Sequence, residues 1–73
     1  MFIGYSVDNY GEHAVPVSTG ATKDAAMSKA ITRVLSLGIG DGEIGTQAST
    51  LSPEDFATLE RTLDEWFAGK GIQ

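Results

Sequence analysis

The chain has 73 residues, with ten acidic and five basic side chains, a formal net charge of −5, one His and no Cys. That length holds one domain, residues 1–73, and the absence of Cys excludes a disulfide framework, a thiolate zinc site and a Cys nucleophile. No apolar run reaches the about 18 residues of a membrane span, and the start lacks the basic and apolar stretches of a signal peptide, so a cytoplasmic protein is expected.

Residues 2–8 alternate, with Ile3, Tyr5 and Val7 on one side and Gly4, Ser6 and Asp8 on the other. That period predicts a half-buried strand with the apolar set toward the core. Asn9, Tyr10 and Gly11 supply turn chemistry. Residues 13–18 read as a second strand with Val15 and Val17 on the core face. Pro16 has no N–H to donate, which places this strand at an edge or at a bulge. The opening is therefore a β-hairpin.

Thr22 is the expected N-cap of a helix over residues 23–37. Met27, Ala30, Ile31, Val34 and Leu37 form its apolar stripe, and Lys29, Arg33 and Ser36 are assigned to the outer face. Gly38 stands where a left-handed C-cap belongs. Residues 38–50 are rich in Gly, Ser and Thr. Within them, residues 43–49 are either a third strand, with Ile44, Thr46 and Ala48 on one face, or an ordered loop.

The second helix has the fullest set of start signals. Ser52 is its N-cap, Pro53 its first residue, and Glu54 and Asp55 meet the positive end of the macrodipole. Ser52 and Asp55 have capping-box spacing, and Leu51 with Phe56 forms a hydrophobic staple. Leu59, Leu63, Trp66 and Phe67 continue the stripe until Gly69 closes the helix. The expected fold is α+β: an N-terminal antiparallel β-hairpin, with or without a third strand, packed against two amphipathic helices. Its expected core is Ile3, Tyr5, Val7, Val15, Val17, Met27, Ile31, Val34, Leu59, Leu63 and Trp66.

Catalytic and cofactor chemistry find little to work with. Gly40-x-Gly42-x-x-Gly45 has the letters of a dinucleotide fingerprint, but it follows a helix, and Asp41 and Glu43 would repel a pyrophosphate. Asp41 and Glu43 alone fall short of the six or more oxygens that calcium takes. His13 is the sole imidazole. Asp8 across the hairpin and Ser6 or Ser18 would have to complete a triad with it, without a nucleophile elbow. The expectation is no enzyme, no cofactor and no metal.

The charge is more telling. In residues 1–37 three acidic side chains balance three basic ones, whereas residues 38–73 carry seven acidic against two basic, so the whole excess lies in the second half. Such a surface repels phosphate backbones and suits a basic protein partner. Asp41, Glu43, Glu60, Asp64 and Glu65 are assigned to an acidic partner-binding face, with Arg61 spaced to pair with Glu65, although a plain solvated surface would also account for them. Asp64 and Glu65 stand in the last helical turn, where the macrodipole disfavours them, so stability alone does not account for their placement. Tyr10 joins this set as an aromatic on a turn, although packing against its own hairpin would also account for it. Trp66 and Phe67 are assigned to the core.

The hairpin followed by Gly20-Ala21-Thr22-x-x-x-Ala26 and an amphipathic helix resembles the opening of HicB-type antitoxins, over roughly the first half of the chain. The Pro-Asp-Leu-Pro-Gly segment usual in that family is absent, and no C-terminal helix-turn-helix follows. In overall format, a small, acidic, Cys-free domain without catalytic motifs, the chain is similar to phage-encoded inhibitors, of which anti-CRISPR proteins are the best-known class. That resemblance implies an inhibitor in the bacterial host cytosol that blocks a nucleic-acid groove or subunit surface of a CRISPR effector complex. The antitoxin resemblance implies neutralisation of a small basic toxin. A phage structural or assembly subunit is a further alternative, and the sequence leaves the oligomeric state open.

Overall fold

The computed structural model describes residues 1–7, 13–38 and 43–72. The elements run β1 (Phe2–Val7), β2 (Ala14–Gly20), α1 (Lys23–Leu37), β3 (Glu43–Ala48) and α2 (Pro53–Gly69). The three strands form one antiparallel sheet in the order β2-β1-β3. This is the expected α+β architecture, and residues 43–48 take the strand alternative.

Both helices start where local chemistry places them. The Thr22 hydroxyl accepts from the Ala25 N–H at 3.1 Å, and the Ser52 hydroxyl accepts from the Asp55 N–H at 3.2 Å. Gly38 takes the left-handed conformation (φ 76°) that closes α1. At the end of α2, Gly69 remains helical and the left-handed residue is Gly71 (φ 77°), after which the Ile72 N–H returns to the Phe67 carbonyl at 2.8 Å.

β2 lies at an edge and also bulges. Gly4 pairs with Ser18 while Tyr5 pairs with Pro16, leaving Val17 without a partner on β1. α1 lies across all three strands, and α2 packs along the β2 edge. The central cluster is Val17, Ala30, Val34 and Phe67, with Leu37, Ile44, Leu63 and Ile72 packed around it.

The sheet presents to α1 the face opposite to the one its alternation suggested. A Cβ added at Gly4 would fall 2.9 Å from the Cβ of Ala30 and 3.0 Å from the carbonyl oxygen of Ala26, so Gly4 faces α1. Ser18, opposite Gly4, donates to that same Ala26 carbonyl at 2.7 Å. Tyr5 and Val7, one residue out of phase, lie on the reverse face and are half-buried. Small residues at Gly4, Ser18, Ala26 and Ala30 let helix and sheet approach closely, and that outweighs the larger apolar area of the other strand face.

The core list changes accordingly. Ile3, Val17 and Val34 are buried as expected, and Met27, Leu59 and Leu63 are half-buried. Val15 (56% exposed), Ile31 (41%) and Trp66 (51%) are not core residues. Phe67 is buried as expected, and Ala26, Ala30 and Phe56 join the core. Trp66 and Phe67 are neighbours on α2, about 100° apart around its axis, and only Phe67 points inward.

Candidate protein-binding surface

Arg33 is the largest departure from the amphipathic reading. Its charge assigns it to the solvent face, yet it is 3% exposed. Its Nη1 donates to the Val17 carbonyl at 2.8 Å, its Nη2 donates to Oδ1 of Asp64 at 2.6 Å, and its guanidinium carbon lies 4.6 Å from the Phe67 ring centroid. The bulge explains the first bond. Val17 has no partner on β1, and Arg33 satisfies its carbonyl from α1. Position 33 lies about 60° from Ala30 around the helix, inside the width of an apolar stripe. The wheel therefore allowed burial; residue type alone argued against it.

The acidic face separates into two groups. Asp64 is bound to Arg33, and Glu60 accepts from the Thr19 hydroxyl at 3.1 Å through Oε2. These two carboxylates hold α2 against α1 and β2, so their place in a continuous outward-facing acidic surface is not what the geometry gives them first. Glu43 and Glu65 are exposed, as are Arg61, Glu54 and Asp55. Asp41 and Tyr10 fall outside the described residues. His13 is exposed just before β2, and Asp8, its suggested partner, also lies outside the described residues.

Next to the Arg33 junction, an apolar groove of about 500 Å³ opens between the hairpin, the end of α1 and α2. Val15, Val17 and Leu37 form one side; Leu63, Trp66 and Phe67 form the other. Trp66 meets Phe67 edge-on, with ring centroids 4.8 Å apart at 81°, and Lys70 Nζ lies 5.0 Å from the Trp66 ring centroid. The indole rests edge-on against buried Phe67 while half of Trp66 stays exposed. Glu65 adjoins Trp66 in sequence, and Glu43 pairs with Val7 at the same end of the sheet as Ser6 and Val15, which border the groove. One end of the molecule thus combines an apolar slot, a half-exposed indole and two exposed carboxylates.

Of the acidic set the sequence marks, Glu43 and Glu65 lie near this groove; the groove itself is hidden in the sequence because Val15 and Trp66 stand at apolar positions that predict burial. No helix is long and apolar enough to cross a membrane, and no group of three or more His, Asp or Glu that could hold a metal occurs among the described residues. Comparison with known proteins finds no matching family, no matching characterised relative and no matching solved structure.

Proposed function

We propose that this chain is a non-enzymatic protein-binding inhibitor of the anti-CRISPR kind. It seats an apolar side chain of its partner in the Trp66 groove while Glu43 and Glu65 engage nearby Lys or Arg, occupying a nucleic-acid or subunit surface of a CRISPR effector complex. The observation that carries this reading is the half-exposed Trp66 over an apolar groove on a domain of net charge −5. A rigid aromatic beside a pocket is the usual form of an interface anchor, and flanking carboxylates favour encounter with a basic surface. Asp41 and Tyr10 belong to the proposed contact set by sequence. Glu60 and Asp64 contribute through the geometry of α2.

The test uses purified effector complexes loaded with guide. Binding is followed by interferometry, and displacement of labelled target DNA by anisotropy, across a salt series. Stoichiometric binding that weakens with salt and releases DNA is expected. Trp66→Ala should weaken it at least tenfold, and no binding at low salt would overturn the reading. The second reading, a HicB-like antitoxin, draws its support from the hairpin-then-helix opening over residues 2–37. It predicts tight binding to a small basic toxin instead.

A further inference from the structure

The two edges of the sheet are built differently. The β2 edge carries three features that discourage strand addition: Pro16, the bulge at Val17, and α2 packed alongside. β3 has none of them. Its register against β1 is unbroken over six residues, it contains no Pro or Lys, and its one charge is Glu43 at the first position. Among the described residues, no strand pairs with its outer edge. Such an edge offers a row of backbone donors and acceptors to a further strand.

We infer that this edge pairs with a second copy of the chain, β3 against β3, antiparallel about a two-fold axis normal to the sheet. That symmetry keeps both α1 helices on the same face, so each residue opposes one of its own face. In a register centred on Thr46, Thr46 stands opposite Thr46 of the second copy and Ile44 opposite its Ala48, while the two Glu43 side chains lie at opposite ends of the joint. The Thr46 hydroxyl is buried and has no hydrogen-bond partner among the described residues, and an opposed Thr–Thr pair supplies one.

The α1 helix supplies the roof. Arg33 projects toward β2 and α2; Ile31, two residues earlier, points about 160° away from it, toward the β3 side. Ile31 is 41% exposed, and half-buried Met27 stands one turn before it. In the dimer the two β1 strands are three strand spacings apart, about 14 Å, and the two α1 helices, which lie mainly over β1 and β2, stand at least that far apart. Met27 and Ile31 from each then close over the Ile44, Thr46 and Ala48 row. The joint is about 20 Å long and buries less than the about 800 Å² per partner of a standard interface, which gives a weak dimer. Because each copy carries −5, added salt strengthens this association, the reverse of its effect on an electrostatic docking to a basic partner.

Sedimentation velocity on the full chain tests this, from about 1 µM to about 1 mM at low and high salt. The mass should rise with concentration from 7.7 kDa toward twice that value, sooner at high salt. Ile31→Lys and Ala48→Lys should each raise the dimer dissociation constant at least tenfold. Trp66→Lys, which changes the net charge identically, should leave it unchanged. Circular dichroism verifies that each variant is folded. A wild-type chain that stays at 7.7 kDa throughout, or a dimer lost in Trp66→Lys and kept in both other variants, overturns the proposal. Neither result bears on effector binding, which is read separately.

Discussion

Arg33 on α1 and Asp64 on α2 meet at 2.6 Å, with the Arg33 side chain 4% exposed and that of Asp64 48% exposed. The same guanidinium donates to the Val17 carbonyl and lies over Phe67, so one side chain joins both helices to the β2 bulge. α2 runs on to Gly69, so Asp64 lies in its penultimate turn, and the charge-assisted bond to Arg33 accounts for a carboxylate there.

Arg33→Ala should therefore be among the most damaging single changes. It frees the Val17 carbonyl and removes the guanidinium that lies over Phe67, at a cost of about 3 kcal/mol. In a domain of this size that lowers Tm by roughly 10–20 °C in a thermal melt. Asp64→Asn should cost less, about 1 kcal/mol, because water reaches the carboxylate and screens the pair. Arg33→Met should recover part of the loss by refilling the space without a charge.

Glycine tolerance should follow the face that each position occupies. A Cβ at Gly4 would fall 2.2 Å from the Ser18 Oγ, and one at Gly20 would fall 2.5 Å from the backbone nitrogen of Ala26. Gly4→Ala and Gly20→Ala should each destabilise by about 2–3 kcal/mol in urea titration. At Gly45 an added Cβ meets nothing within 4 Å, so Gly45→Ala should be neutral or stabilising by up to about 1 kcal/mol.

The neighbouring aromatics of α2 should separate stability from binding. Phe67 is 2% exposed, and Phe67→Ala should cost about 3–5 kcal/mol, enough to unfold much of a small domain. Trp66→Ala should cost about 1 kcal/mol of stability and at least tenfold in partner affinity. Equal losses of stability from the two substitutions would place Trp66 in the core.

Charge reversal should divide the acidic residues in the same way. Glu43→Lys and Glu65→Lys should leave Tm within about 2 °C and weaken binding to a basic partner, with a shallower salt dependence. Asp64→Lys should lower Tm markedly, because it sets a second cation against buried Arg33.

Ser52→Ala and Thr22→Ala should each cost about 1 kcal/mol, measured as a shift in urea midpoint, since each hydroxyl satisfies an otherwise free N–H of the first turn.

The residues Thr22, Gly38, Ser52 and Pro53 made the helix starts and the end of α1 legible, because a cap is decided by hydrogen bonds within a few residues. Pro16 marked the irregular edge strand for the same reason. The candidate site was legible only in its exposed carboxylates Glu43 and Glu65. Its groove was not, because Val15 and Trp66 are apolar residues at stripe positions, and whether a stripe position is covered depends on where the neighbouring element ends.

Read alone, the sequence specified the order of elements, both helix starts and the end of α1, the α+β class and the acidic second half. Each depends on local hydrogen bonding, periodicity or composition. Only long-range packing put α1 on the Gly4 and Ser18 face, buried Arg33 against Val17, Asp64 and Phe67, and left the outer edge of β3 without a paired strand among the described residues. These are long-range outcomes: close approach over small residues competes with burial of Tyr5 and Val7, and an unpaired bulge carbonyl draws in the one buried cation that can reach it.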